Sequence, residues 1–266
     1  SVKACLFDRR LWQTALTSRE YALRTHGVCA EAEPQIYLDA AAQCILSLPA
    51  EARARVCAVA LTTQGETLIP VGKDGRALRK AIVWLDERAK KQADTLSARF
   101  SSAEFYHETG LPELNGFLPL AKLMWIRENE PEIYRQTEKF LLLEDYLLYR
   151  LTGQFAAEKT LASSTGWFSL RTDGYWQEGL AAAGIPQEKL PELVRQLAAM
   201  PGTGNPELDI IVLHELLRLA HAVPALQAQI REAMRGYRPQ WEDHLAHDWL
   251  RARLLGEAQP EPDAQT

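Results

Sequence analysis

Six apolar residues in a row, Val56-Cys57-Ala58-Val59-Ala60-Leu61, stop abruptly at the polar stretch Thr62-Thr63-Gln64-Gly65-Glu66-Thr67. A run with no polar face has to be covered on both sides if it is a strand, so it points to a sheet sandwiched between other layers. Two more short apolar runs follow, Leu68-Ile69-Pro70-Val71 and Ala81-Ile82-Val83-Trp84, with the turn signal Asp74-Gly75 between them. Upstream, Val2 to Asp8 alternates in the manner of a strand, and residues 11 to 23 suit the returning arm of a hairpin.

Helical spacing takes over elsewhere. Pro34 suits the first turn of a helix that carries Ile36, Ala40, Ala41, Cys44 and Leu48 on one side. Leu85-Asp86-Glu87-Arg88 leads into a helix reaching about Phe100, and residues 101 to 151 are mainly helical. Within them, one helix runs through Leu120, Leu123, Met124 and Ile126, and another spans Asp145 to Leu151 with Gly153 as its stop. Phe140 to Leu143 is a short apolar run, residues 154 to 170 return to extended character, and Trp176 to Ala183 is a short helix ended by Gly184. Interleaved strands and helices predict an α/β layer fold, and the opening hairpin predicts a mixed rather than an all-parallel sheet.

Pro201-Gly202-Thr203-Gly204-Asn205-Pro206 reads as a linker, which divides a lobe over 1–200 from a tail over 201–266. The tail is expected to hold helices over Leu208 to Leu219, Pro224 to Met234 and Gln240 to Leu254. Its Pro-, Gln- and acid-rich end is expected to be disordered.

Composition narrows the functional classes. The 266-residue chain is 47% hydrophobic and 24% charged, an ordinary globular balance. Its net charge of −5 gives no general attraction to nucleic acid or to anionic membrane. No window approaches the roughly 18 apolar residues of a membrane span, and no secretory signal opens the sequence, so a cytoplasmic protein is expected. Cys5, Cys29, Cys44 and Cys57 form no CxxC pair, as befits free thiols in a reducing compartment. His214-Glu215 begins a zinc-protease pattern that Arg218 breaks, and His244 with His247 suits a solvated helix face. No metal ligand and no catalytic residue is assigned.

The candidate site comes from position. In open α/β sheets, ligands bind just beyond the carboxyl ends of strands. Gln64 and Glu66 follow one apolar run, Asp86 follows another, and Trp84 stands between. Amide and carboxylate groups exchange hydrogen bonds with hydroxyls, and an indole face packs on the C–H face of a sugar. Gln64, Glu66, Trp84 and Asp86 are therefore the candidate residues for binding a sugar or polyol. The competing role for Asp86 is to cap the helix after it, and for Trp84 to sit in the core.

Several segments, taken in order, resemble the FGGY carbohydrate kinases, the family that includes glycerol kinase and xylulokinase. They are Thr62-Thr63-Gln64-Gly65-Glu66-Thr67, Ala81-Ile82-Val83-Trp84 with Arg88, and Thr109-Gly110-Leu111-Pro112 with Ala121-Lys122-Leu123-Met124-Trp125. Asp145-Tyr146-Leu147 with Arg150-Leu151-Thr152-Gly153, and then Ser163-Ser164-Thr165-Gly166, complete the series. The resemblance implies an actin-like, ribonuclease-H-like lobe with a mixed sheet and surrounding helices. It implies transfer of the γ-phosphate of ATP, with Mg2+, to a hydroxyl of a small sugar or polyol. By match, Glu66 would hold an acceptor hydroxyl and Trp84 would line the pocket, with Gln64, Asp86 and the Asn115-Gly116 region nearby.

Departures qualify this. Gly65 stands where glycerol kinases have Arg, and the Met-His-Gly of xylulokinases is missing from the loop, so the acceptor is left open. The family's Asp-x-Gly-Thr-Thr phosphate loop would precede Ser1, and its Gly-Asp general-base motif does not occur after Val194. A chain beginning in mid-strand suggests further residues upstream, and the parts that would bind most of ATP and Mg2+ are expected to be missing. Phosphoryl transfer by this chain alone is therefore not expected. The alternative is a non-catalytic module that binds a carbohydrate or a partner. An apolar face left open where a second lobe would sit makes a homo-oligomer one expected assembly.

Overall fold

The computed structural model describes residues 1–8, 12–56 and 59–194. The chain opens with strands β1 (Val2–Phe7), β2 (Gln13–Arg19), β3 (Arg24–His26) and β4 (Cys29–Ala32), then helices α1 (Pro34–Leu46) and α2 (Ala50–Arg53). Strands β5 (Leu68–Val71) and β6 (Ala81–Ile82) precede helices α3 (Lys90–Ser97), α4 (Ser102–Thr109), α5 (Pro119–Asn129) and α6 (Pro131–Gln136). Next come β7 (Lys139–Leu142), α7 (Leu143–Thr152), β8 (Ala156–Glu158), α8 (Lys159–Ala162), β9 (Phe168–Ser169), β10 (Gly174–Tyr175), α9 (Gln177–Ala183) and β11 (Glu192–Val194).

The described residues fall into two units, the larger formed by 1–4, 17–49 and 61–194. Its centre is a five-stranded sheet in the order β3-β4-β6-β5-β7. All its pairings are antiparallel, with Leu68 opposite Leu142 and Ile69 opposite Leu141. Period-two alternation gives this sheet a core on each face. Leu68, Ile82, Phe140 and Leu142 join a cluster with Phe105 of α4, Leu120 and Leu123 of α5, Trp167 and Trp176. Ile69, Val71, Ala81, Val83 and Leu141 join a second cluster with Ala30, Tyr37 and Tyr146. Because both faces are covered, β5 is buried at every position, which is why its sequence is apolar throughout. Truncating one such leucine to alanine typically costs about 2–5 kcal/mol.

The expected mixed sheet is not found: the central sheet is antiparallel throughout, and a parallel pairing, β8 with β11, lies in a separate two-stranded sheet. The expected helix ends hold at Gly153 and Gly184, which close α7 and α9 in the left-handed conformation at φ 75° and 66°. The strand expected over Val56 to Leu61 is not found. No strand covers residues 56 or 59–61, and Val56 and Val59 are 44% and 62% exposed; Cys57 and Ala58 lie outside the described residues. An apolar run becomes a strand only where a neighbour takes up its backbone hydrogen bonds, and no described strand pairs with this one.

The smaller unit includes residues 5–8, 12–16, 50–56 and 59–60. It carries the turn-side half of the β1–β2 ribbon, closed by an Asp8 N–H to Trp12 carbonyl bond of 3.0 Å and a Trp12 N–H to Asp8 carboxylate bond of 2.9 Å, together with α2. The linker at 201–206, the three expected tail helices and the disordered end lie outside the described residues.

Candidate functional site

The segment before β5 and the turn after β6 are joined by side chains that belong to both. The Thr67 hydroxyl, fully buried, accepts from Gln64 Nε2 at 2.9 Å and from the Trp84 backbone N–H at 3.2 Å. Gln64 Nε2 also reaches the Tyr37 hydroxyl at 3.2 Å, so its amide is oriented from two sides. Trp84 lies two residues beyond β6 with its backbone N–H held by Thr67, and the residue is 47% exposed, which leaves its indole open. Core packing, the competing role for Trp84, does not describe a residue exposed to that degree.

Glu66 sits in left-handed backbone at φ 64°, a conformation that costs a residue with a Cβ roughly 1–2 kcal/mol. Its carboxyl is half-buried, and burial raises its pKa, offset in part by Lys122 and by a hydrogen bond with Ser164. Ser164 belongs to the turn after α8 and lies beside Gly65: a Cβ at 65 would stand 3.5 Å from Ser164 Oγ, an ordinary contact. Thr67 thus joins the segment of Gln64 and Glu66 to the turn of Trp84, and Ser164 bonds Glu66, although Gln64 and Glu66 precede β5 and do not follow a strand as the sequence argument expected.

Asp86 is placed differently. It is fully buried, and its carboxylate accepts from Arg88 Nε at 2.8 Å, Arg88 Nη2 at 2.7 Å, the Arg88 backbone N–H at 3.0 Å and the Ala30 N–H. It does not cap α3, whose N-cap residue is Ala89. Asn115 accepts from the Phe117 N–H at 3.1 Å and Gly116 packs on the backbone of Glu87 and Lys90, so this region braces the start of α3.

Sequence reasoning did not single out Lys122. It is fully buried on α5, and its ammonium donates to the carbonyls of Val83 at 3.1 Å, Trp84 at 3.3 Å and Glu66 at 3.4 Å. Burial lowers its pKa to about 8, opposed by Asp86 and Glu66 and assisted by Arg88. The available signal was its setting: Pro119 to Met124 are all buried, so this stretch offers no polar face to a lysine.

A groove of about 860 Å³ is lined by residues such as Asp74, Arg76, Tyr149 and Arg150 and includes none of Gln64, Glu66, Trp84 or Asp86. The described residues offer no cradle that fits ATP with Mg2+. Among them no glycine-rich loop presents a row of N–H groups to phosphates, and no three His, Cys, Asp or Glu side chains group to hold a metal ion. No described helix is long and apolar enough to cross a membrane.

The layered α/β lobe carries amide, carboxyl and exposed indole groups on two segments that Thr67 joins. Residues 1–209 match the N-terminal domain of the FGGY family of carbohydrate kinases, and the chain belongs to that family. It is 31% identical over 196 residues to a xylulose kinase of Streptomyces rubiginosus, covering 73% of this chain and 40% of that protein. It is 28% identical over 210 residues to a gluconokinase of Bacillus licheniformis, covering 78% and 40% respectively. The crystal structure of a gluconate kinase from Lactobacillus acidophilus superimposes with a TM-score of 0.68 at 29% identity, over 73% of this chain and 40% of that one. The fold is therefore that of the actin-like kinases, and the chain spans about 40% of the length of these relatives.

Proposed function

We propose that this chain supplies the acceptor side of a carbohydrate kinase. In this reading a sugar or polyol lies on the open face of Trp84, Glu66 accepts from one of its hydroxyls, and Gln64 presents its amide to another. Asp86 contributes by bracing the turn that carries Trp84. The observation that carries the proposal is the exposure of the Trp84 indole while its backbone is tied, through Thr67, to the segment that holds Gln64 and Glu66. An aromatic face beside a few oriented polar groups is the chemistry that polyhydroxylated ligands select. ATP and Mg2+ would be bound by other parts of the protein. Without metal and base in place, this chain alone transfers no phosphoryl group.

Calorimetric titration of the purified chain with D-xylulose, D-gluconate and glycerol tests the reading. Binding of at least one, weakened about tenfold or more by Glu66→Gln and by Trp84→Ala, supports it. No binding of any of the three, or binding indifferent to both substitutions, overturns it. ATP-dependent phosphorylation of an acceptor by the purified chain would refute its inactivity and leave the acceptor site standing. Binding by a full-length protein that never phosphorylates an acceptor would favour a non-catalytic carbohydrate-binding module.

A further inference from the structure

Glu66 and Trp84 are 18 positions apart in sequence and belong to different segments, yet their carbonyls share one donor. That donor, Lys122, arrives from α5, a third element, and it also bonds the carbonyl of Val83. A buried ammonium has three hydrogens, and here three carbonyls receive them. The backbone of Glu66 is left-handed, a conformation that persists only where its surroundings hold it. Lys122 is the group that grips that peptide from inside.

We propose that Lys122 is a positioning residue for the candidate acceptor site: by bonding the carbonyls of Glu66, Val83 and Trp84 it sets the Glu66 carboxyl and the Trp84 indole in one arrangement. The name "acceptor site" rests on the function proposed above, whereas the positioning of Trp84 and Glu66 does not. Lys122 touches no ligand in this account. The charged groups acting on it are the carboxylates of Glu66 and Asp86 and the guanidinium of Arg88. A neutral amine has one hydrogen fewer than an ammonium, so one of the three carbonyls loses its donor when Lys122 deprotonates. With its pKa lowered by burial to about 8, that loss falls within reach of ordinary buffers.

The test uses the full chain labelled with 5-fluorotryptophan and followed by fluorine NMR, with the Trp84 signal assigned from Trp84→Phe. In the wild-type chain the Trp84 resonance is expected to move with a midpoint near pH 8, while those of Trp167 and Trp176, buried in the helical core, stay in place. In Lys122→Met the Trp84 resonance is expected to be displaced and to lose its titration, with Trp167 and Trp176 unchanged as the sign of an intact fold. A Trp84 signal in folded Lys122→Met that matches the wild type overturns the proposal. So does a wild-type Trp84 signal that stays flat between about pH 6.5 and 11, a range that spans the lowered and the ordinary lysine pKa, which decides the matter even where the variant fails to fold. If the wild type binds D-xylulose, Lys122→Met is expected to weaken binding at least about tenfold, and undiminished binding also counts against the proposal. If the wild type binds no sugar, the proposed function fails while the fluorine signals still decide the role of Lys122.

Discussion

Asp86 and Arg88, two residues apart, face each other as a fork: Arg88 Nε and Nη2 donate to the two carboxylate oxygens of Asp86 at 2.8 and 2.7 Å. The pair is the inner end of a longer network. Arg88 Nη2 lies 2.9 Å from Glu31 Oε1, Glu31 also bonds Arg79, and Arg79 Nη1 reaches Glu130 at 2.7 Å. Both guanidinium groups stand by the Trp125 ring, at 5.0 Å for Arg88 and 5.9 Å for Arg79. Strand β4, the turn carrying Trp84 and the α5–α6 junction are thereby tied together.

Removing Asp86 strands a cation. The Arg88 side chain is 7% exposed and keeps only Glu31 as a carboxylate partner once Asp86 is gone. Asp86→Ala is expected to destabilise the chain by about 3–5 kcal/mol, the usual result of breaking a buried ion pair from one side. Urea unfolding of the variant measures this, and a loss below about 1 kcal/mol would show that the pair is not integral to the fold.

Acid-side stability follows from α7. Burial raises the Glu144 pKa from 4.5 to about 7, with repulsion from Glu158 adding to it, and burial raises that of its neighbour Asp145 as well. Well below pH 4.5, Glu144 is protonated in the folded and the unfolded chain alike, and it costs little. Between pH 4.5 and about 7 the unfolded chain gives up its proton first, so folding has to take a proton up, and stability falls as pH rises. Above about pH 7 the cost is constant. Glu144→Gln is therefore expected to gain about 1–3 kcal/mol at pH 8 and little at pH 5, compared by urea midpoints at the two values. An equal gain at both would mean that the effect is packing and not charge.

Why some of this was legible in the sequence and some was not has a physical basis. Strands β5 and β7 and the stops at Gly153 and Gly184 depend on local patterns, and local patterns can be read along a chain. Gln64, Glu66 and Trp84 were chosen by a rule that polar residues after buried strands meet at a sheet edge, but Gln64 and Glu66 follow no described strand and instead lead into β5. The wider network around Asp86 was not legible, because Ala30, which donates to it, and Glu31, the second carboxylate partner of Arg88, lie more than 50 residues away and nothing local marks them. Lys122 was hidden for the opposite reason. Isolated lysines on helices are usually solvated, and only the burial of its whole stretch shows that this one had to find its partners inside. The run at Val56 to Leu61 misled because its composition suits a strand but says nothing about whether a partner strand adjoins it.

Gly116 is required by a close approach. A Cβ there would lie 2.9 Å from the Lys90 nitrogen and 3.1 Å from the Glu87 carbonyl oxygen, both backbone atoms that cannot swing aside. Gly116→Ala has to push the 115–117 loop off the start of α3, at an expected loss of about 1–3 kcal/mol. A thermal melt checks it, and an unchanged midpoint would mean that the loop relaxes freely.

Gly65 separates occupancy of the site from stability of the fold. A Cβ at this position would meet Ser164 Oγ at 3.5 Å and Leu161 Cδ1 at 3.7 Å, ordinary contact distances, and the residue does not stand in left-handed backbone. Gly65→Ala is therefore expected to leave stability within about 0.5 kcal/mol of the wild type. A longer side chain, as in Gly65→Leu, has to extend past Ser164 into the space that the proposed acceptor shares with Glu66. It is expected to weaken D-xylulose or glycerol binding at least about tenfold while the melting temperature stays within a few degrees. Calorimetric titration and thermal melts of the two variants, run side by side, make the comparison. If Gly65→Leu binds as tightly as the wild type, the ligand does not lie beside Ser164. If both variants lose stability together, Gly65 serves the fold and its neighbourhood need not be a site at all.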